Sequence, residues 1–432
     1  LLDLRLGSSN VANTNDPLYL APDQHGYIYT PGTSGNYFSV PHAANLSTTD
    51  LDVRVRVAMD DWTPSSVVAF ASKWTSGTNT RSWVFGSYSG GTFFFQWSAD
   101  GNTQAGVRQS TAAPSETDGA PLWVRVTFDA DNGSGSYDLR FYTAPDSPTE
   151  PTSWTQLGNT VTGTASSLYG SNTAMLFAAA TSGVGNQMSA KFYRAVMEDG
   201  IDGTTVLDVD CDALTSGSAT SFTATTGQTV TINRSTSGRK SVAMPSRWKG
   251  GRACFLLGTD DYLEVQGGWQ HQLLNFNYSP GFSVVNVHRQ WATPGNFSAL
   301  LNKGEYYSIT RGWGTYNNST GANIQGSVAR KDLSSTLFSR NSAYTLGSTA
   351  VTGIVVTPGG REIRSFGNGT LSSQNTGTDA SDSYTTFAMR FGRAAAGGSN
   401  LYVDAEFTAA AVFRRALTAA EIKTISDYYT GA

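Results

Sequence analysis

From about residue 25 onward, short apolar runs alternate with clusters of glycine, asparagine, serine and proline. In "DLDVRVRVAM" the apolar positions recur every second residue. Leu51, Val53, Val55 and Val57 fall on one side, and Asp52, Arg54 and Arg56 on the other, as in a strand with one buried face. "PLWVRVTFDA" repeats the pattern, with Leu122, Val124 and Val126 opposite Trp123, Arg125 and Thr127. "GGTFFFQWSADG" is a continuous apolar run, which predicts a strand covered on both faces or capped by loops. "DADNGSGSYDLRFYT" places a Gly-rich hairpin turn between two strands. Helical periodicity is almost absent, and "RALTAAEIKTISDYYTG" is the exception. Thr418 is its expected N-cap, Glu421 completes a capping box, and Leu417 can pack back on Ile422. Ile422, Ile425 and Tyr429 follow at helical spacing, and Gly431 ends a short C-terminal helix.

The order of these elements repeats. "SGNYFSVP" (34–41) stands where "TDDYLEVQ" (259–266) stands in the second half. Each precedes a strand, "LDVRVRVAM" or "FSVVNVHRQ", and then "AFASKW" or "ALLNKG", both with a lysine in fifth place. "WVRVTFDA" then answers to "VTGIVVTP", "YDLRFYT" to "REIRSFG", and "AKFYRAVM" to "AEFTAAAVF". The chain therefore reads as two diverged copies of one all-β domain, spanning 25–233 and 234–432. The divider is the weakly hydrophobic stretch "TSGSATSFTATTGQTVTINRSTSGRKS". Residues 1–24 show only a brief alternation in "LLDLRL" before an Asn- and Pro-containing stretch. They read as an extended arm, either a linker lying along the first domain or an anchor that pairs with a partner's strand edge.

Composition narrows the function classes. Of 432 residues only 14% are charged, the net charge is −4, and there are 46 glycines. Such a surface exerts little pull on nucleic acid or acidic membranes, and no apolar run reaches the ~18 residues of a membrane span. Cys211 and Cys254 are too few for a disulfide scaffold and read as free, buried, small apolar residues. No expected cofactor follows from these counts.

Acidic clusters are the first place to look for chemistry. In "GTDDYLEVQGG", Asp260, Asp261 and Glu264 stand where the first half has Gly35, Asn36 and Ser39. Neutral turn formers replace the acids, so turn chemistry leading into a strand is the favoured reading, ahead of calcium or catalysis. Asp208, Asp210 and Asp212 lie at alternate positions of "LDVDCDAL". On a strand they would share a face, about 6.6–7 Å apart stepwise. An exposed acidic edge is favoured; the alternatives are a calcium contribution, since that ion takes oxygen ligands, and a carboxylate pair for sugar hydrolysis. No Glu accompanies them as the acid. His25, His42, His271 and His288 show no zinc spacing, and no nucleophile elbow or phosphate loop occurs. Trp62, Trp74, Trp313, Tyr316 and Asn317 lie in polar, Gly/Asn-rich stretches, the expected setting for loop residues. An aromatic face beside amide groups suits a sugar ring, so these five are the ligand-binding candidates, with ordinary loop packing as the alternative.

These pieces carry a resemblance. The second half resembles the LamG-like jellyroll group of concanavalin A-like lectin/glucanase folds through "LLGTDDYLEV", "ALLNKG", "IRSFGNGTL" and "AAAVFRRALTAAEIKTI". The first half is similar to the related domain of minor tail proteins of actinobacterial phages through "MDDWTP", "SKWTSGTNTRSW", "QWSADG", "WVRVTFDADNGSG", "SWTQLGNTVTG" and "MEDGIDGTTV". The tether "LRLGSSNVANTNDPLYLAP" is similar to a segment preceding such domains. The resemblance implies two tandem antiparallel β-sandwiches and a place in the virion, at the tail or particle surface. It implies host envelope glycans as ligands, virion proteins as partners through the arm, and a homo-oligomer on the particle. The Glu-x-Asp-x-x-Glu strand of glucanases of this fold is missing, so a non-enzymatic binding protein is expected, with a purely structural spacer as the alternative and a glycan hydrolase as the less favoured one.

Overall fold

The computed structural model describes residues 4–8, 18–258, 261–265, 280–293, 298–304, 312–317, 322–329, 336–360, 362–376, 389–393 and 403–431. Two compact units emerge: Pro22–Ser235 with Lys240–Arg252, and Leu1–Ala21 with Thr236–Arg239 and Ala253–Ala432. Each unit is a two-sheet antiparallel sandwich, as the alternating strands require.

In the first sandwich a nine-stranded sheet runs in the order Thr155–Gln156, Ser136–Ala144, Leu122–Asp129, Leu51–Met59, Ser189–Asp199, Tyr27–Pro31, Val242–Met244, with two further strands at its sides. The facing eight-stranded sheet runs Ser221–Thr223, Thr229–Asn233, Tyr37–Val40, Met175–Phe177, Val68–Trp74, Arg81–Ser87, Phe93–Trp97, Gly106–Gln109. Inward residues of both sheets, among them Val53, Val55, Val57, Phe70, Phe85, Phe95, Val124 and Phe141, form one continuous core. Each such side chain contributes about 1.5–3 kcal/mol by leaving water.

The second sandwich repeats this order. One sheet runs Thr370–Thr376, Glu362–Gly367, Ala350–Val356, Phe282–Arg289, Ala405–Phe413, Cys254–Leu257, Leu18–Leu20. The other runs Leu4–Ser8, Asp261–Val265, Met389–Phe391, Ala299–Gly304, Gly312–Asn317, Asn323–Ala329, Thr336–Ala343. The internal repeat is therefore present in both sheets, while Val161–Thr164, Thr204–Asp210 and Ser221–Thr223 have no counterpart among the described strands of the second sandwich. Even a bulge recurs: the ladder slips between Phe192 and Arg194 opposite Val57 and Arg56, and between Val287 and His288 opposite Ala409 and Phe407.

The arms are where structure and expectation part. Leu4–Ser8 and Leu18–Leu20 are edge strands of the second sandwich, pairing with Asp261–Val265 and Cys254–Leu257. Thr229–Asn233 and Val242–Met244, which precede the second sandwich in the chain, fill the same two places in the first. The registers agree: Leu18 and Leu20 oppose Leu256 and Cys254, as Val242 and Met244 oppose Tyr29 and Tyr27. Each copy thus gives its leading arm to the other. The arm is neither a linker along the first domain nor, in this chain, an anchor for a foreign edge. The expected divider contains two strands, Ser221–Thr223 and Thr229–Asn233, and Lys240–Arg252 groups with the first sandwich, past the expected 233/234 boundary. An open edge exposes unpaired N–H and C=O groups, and each arm covers two strands that would otherwise present one.

The C-terminal helix, Ala419–Thr430, forms as the sequence predicts. Thr418 caps it with a full capping box, and Gly431 ends it in the left-handed conformation at φ 76°. Leu417 and Ile422 sit in one apolar cluster with Val285, Val287, Val351 and Val355, on the face of the sheet turned away from the main core.

Candidate functional site

The five sequence candidates do not form a surface. Trp62 is 1% exposed, Trp74 8%, Trp313 2%, Tyr316 1% and Asn317 0%. Trp62 lies in the first core and donates its indole N–H to the Ala120 carbonyl at 3.2 Å. Trp74 packs with Ala69, Val84 and Phe94, with the Arg81 guanidinium over its ring. Trp313 lies against Phe282 in the second core, Asn302 donates to the Tyr316 hydroxyl, and Tyr344 donates to Asn317 Oδ1 at 2.7 Å. As sugar platforms they are corrected. The Gly/Asn-rich stretches around these residues suggested loops, yet four of the five stand on strands.

The acidic candidates also separate. The strand Thr204–Asp210 ends at Asp210, and the chain turns into a short 3-10 segment, so the three acids do not share a face. Asp208 is buried and receives both Arg194 Nε and Nη2 at 2.8 Å. Asp210 accepts from the Asp212 amide at 2.9 Å, and burial pushes its carboxyl above the usual range. Asp212 takes the Gly26 amide at 2.6 Å and meets His25 Nδ1 at 2.8 Å. Neither an acidic edge nor a converging calcium set results. Asp261 heads its strand and accepts from the Gly258 amide at 2.9 Å, the turn role expected of it, while also binding Arg239. Asp260 and His271 lie outside the described residues. Both cysteines are free and buried.

A different constellation emerges on the outer face of the nine-stranded sheet. Arg54 and Arg125 stand directly opposite each other on neighbouring strands. Two like charges there would repel, and Asp52, fully buried beneath them, resolves this. Its Oδ1 accepts from Arg54 Nε at 3.1 Å and Arg125 Nε at 2.9 Å, and its Oδ2 from their Nη2 atoms at 2.7 and 2.6 Å. Asp202, left-handed at φ 51°, bridges the same two Nη2 atoms at 2.9 and 2.7 Å. Glu198 accepts from Arg54 Nη2 at 2.7 Å, and Glu150 from Arg54 Nη1. Burial is the main force on Glu198 and raises its carboxyl to about 7 against the pull of Arg54.

Around this knot lies a cavity of about 680 Å³, lined by Arg54, Arg125, Tyr142, Glu150, Pro151, Thr152, Trp154 and Asp202. The Arg125 guanidinium lies over the Tyr142 ring at 5.2 Å and the Trp154 ring at 5.5 Å. Trp154 is fixed edge-on by Trp123, whose indole donates to the Ser147 carbonyl at 2.8 Å. Asp52, Glu198 and Asp202 converge closely enough to suggest a cation site. The cation is already part of the chain, because Arg54 Nη2 touches one oxygen of each at 2.7, 2.7 and 2.9 Å. Sequence reading assigned Asp52, Arg54 and Arg125 to the outward side of their strands but attached no function to them. The signal was two basic residues on outward faces of strands that would become neighbours. Trp154, in "SWTQLG", had the polar context used to choose the other tryptophans.

No family model matches the chain, and no curated protein matches it. Solved structures do match. The mouse laminin alpha1 chain, domains LG4-5, is 10% identical over 92% of this chain and 93% of its own, with a TM-score of 0.33. The CBM40 module of a Ruminococcus gnavus IT-sialidase, bound to alpha2,3 sialyllactose, is 10% identical over 36% of this chain and 85% of its own, at 0.29. The binding domain of botulinum neurotoxin DC, in complex with SialylT, is 11% identical over 39% of this chain and 40% of its own, at 0.29. These neighbours are laminin LG domains and carbohydrate-binding jellyroll modules, and the class defined by the chain's own strands is the antiparallel β-sandwich.

Proposed function

We propose that this chain is a non-enzymatic glycan-binding protein of a phage virion, standing at the tail or particle surface and contacting host envelope glycans through the first sandwich. The observation that carries the binding part is the cavity in which Trp154 and Tyr142 rings stand beside Arg54, Arg125, Glu150 and Asp202. A sugar ring has an apolar face for the aromatic ring and a hydroxyl rim for the charged groups. Four carboxylates surround two guanidiniums here, so the favoured ligand is a neutral or amino sugar rather than an acidic one. Hydrolysis is not favoured: Glu198, the carboxyl raised towards neutrality, does not line the cavity. The virion placement is supported by the resemblance of the tether and of the "DDWTP" and "SKWT" stretches to tail-protein segments. A single site with a Kd near 1 mM is worth only about −4.1 kcal/mol, but copies on one particle can add avidity on the order of 10²–10⁴.

The burial of Trp62, Trp74 and Trp313 favours a second reading, a structural spacer without a sugar site. Titration of the full chain against a neutral glycan array separates the two. Glycan binding requires a measurable Kd that weakens about tenfold or more in Trp154→Ala, roughly 1.4 kcal/mol or more. Wild-type protein that binds no glycan at millimolar concentration leaves the spacer reading standing.

A further inference from the structure

The two sandwiches share register and bulge, so each inward position of one has a counterpart in the other. Most counterparts are apolar in both, but one end of the second interior is not. Val55 answers to Asn286, Val57 to His288 and Val124 to Thr352. Phe85 and Phe95, which face each other in the first sandwich, answer to Thr315 and Gly326. Two rings and three valines have been exchanged for smaller or polar groups, and all five replacements are buried.

Part of this polar set satisfies itself. Asn286 Nδ2 donates to Thr315 Oγ1 at 3.0 Å, and His288 Nε2 meets Thr352 Oγ1 at 3.0 Å. The Tyr344 hydroxyl reaches Asn317 Oδ1 and Gln290 Oε1, and its ring lies edge-on to His288 with centroids 5.1 Å apart. Within this polar set three buried atoms, Asn286 Oδ1, His288 Nδ1 and Asn317 Nδ2, have no hydrogen-bond partner. Buried polar atoms left in that state are strongly disfavoured, and ordered guests are how proteins satisfy them.

We propose that the second sandwich encloses a hydroxyl-bearing guest held by Asn286, His288 and Asn317. A hydroxyl both donates and accepts. It gives its proton to Asn286 Oδ1, takes one from Asn317 Nδ2, and meets His288 Nδ1 in whichever role the tautomer leaves open. The holding groups are uncharged, since burial keeps His288 neutral down to about 3, so the guest is neutral. Water and a small sugar or polyol share this chemistry. The site is separate from the first sandwich's cavity and does not depend on it.

High-resolution crystallography of the full chain, with the extracted small molecules weighed by mass spectrometry, tests this. Density within hydrogen-bond reach of all three atoms is expected. Isolated peaks with nothing extracted identify water, and continuous density with a stoichiometric polyol or sugar mass identifies the larger guest. Thr315→Phe restores the ring that Phe85 supplies in the first sandwich, and loss of the guest density is expected. No density at the three atoms in the wild type, or density that persists unchanged in Thr315→Phe, overturns the proposal. If that variant does not fold, the 15N shift of His288 Nδ1 in the wild type decides: a hydrogen-bonded value supports the guest, a free value removes it.

Discussion

At the scale of single residues, burial decides what a side chain does more than its neighbours in sequence do. His288 shows this with a sign that can be measured. Its imidazole is held neutral down to about 3, against an ordinary value of 6.5, by burial alone. Between those values the unfolded chain binds a proton that the folded chain does not, so this residue's stabilisation is complete above 6.5 and is lost as pH falls towards 3. The unfolding free energy of His288→Val, which carries the residue found at Val57, should therefore fall less steeply with acid than that of the wild type. The difference should grow by up to about 1.4 kcal/mol per pH unit below 6.5. Urea titrations at pH 7, 5 and 4 read it, and parallel slopes for the two proteins would refute it. The tryptophans teach the same lesson. Trp62 and Trp154 have similar polar neighbours in sequence, yet Trp62 is part of the core and Trp154 lines the cavity.

At the scale of elements, periodicity was a sound guide. The alternation at 51–57 named the inward valines and the outward Asp52, Arg54 and Arg56, because a strand has only two faces. The helix was legible to its caps because capping is local chemistry: Thr418, Glu421 and Gly431 are within a few residues of what they satisfy. Thr418→Ala removes the side chain that accepts the Glu421 amide and should cost about 1 kcal/mol of local stability. Lys423→Ala, which breaks only an exposed i,i+4 pair with Asp427, should cost under about 0.5 kcal/mol. Hydrogen exchange at Ile422 and Ile425 separates the two, and equal effects would count against the capping account. Strand partners were less legible. "TVTIN" alternates exposed threonines with the buried Val230 and Ile232, but which sheet it joins is set by its distant partner Tyr37–Val40.

At the scale of the whole molecule, the second sandwich takes two strands from the far end of the chain, Leu4–Ser8 and Leu18–Leu20. Removing residues 1–21 uncovers the Cys254–Leu257 and Asp261–Val265 edges, while both arm strands of the first sandwich remain. The second sandwich should then lose a few kcal/mol, from net gains of roughly 0.5–1.5 kcal/mol per hydrogen bond, and regain it when the 1–21 peptide is added. Calorimetry on the truncated chain with and without peptide measures this. A second sandwich that melts unchanged would mean the arm contributes no stability.

What the sequence determined by itself was the alternating faces of the strands, the repeated order of strands, and the capped helix. Tertiary structure alone decided which copy each arm joins, which tryptophan lines a cavity, and that Arg54 and Arg125 meet over one buried aspartate. Those outcomes depend on residues far apart in the chain, such as Asp52 and Asp202, and no local pattern fixes which distant segments close on each other.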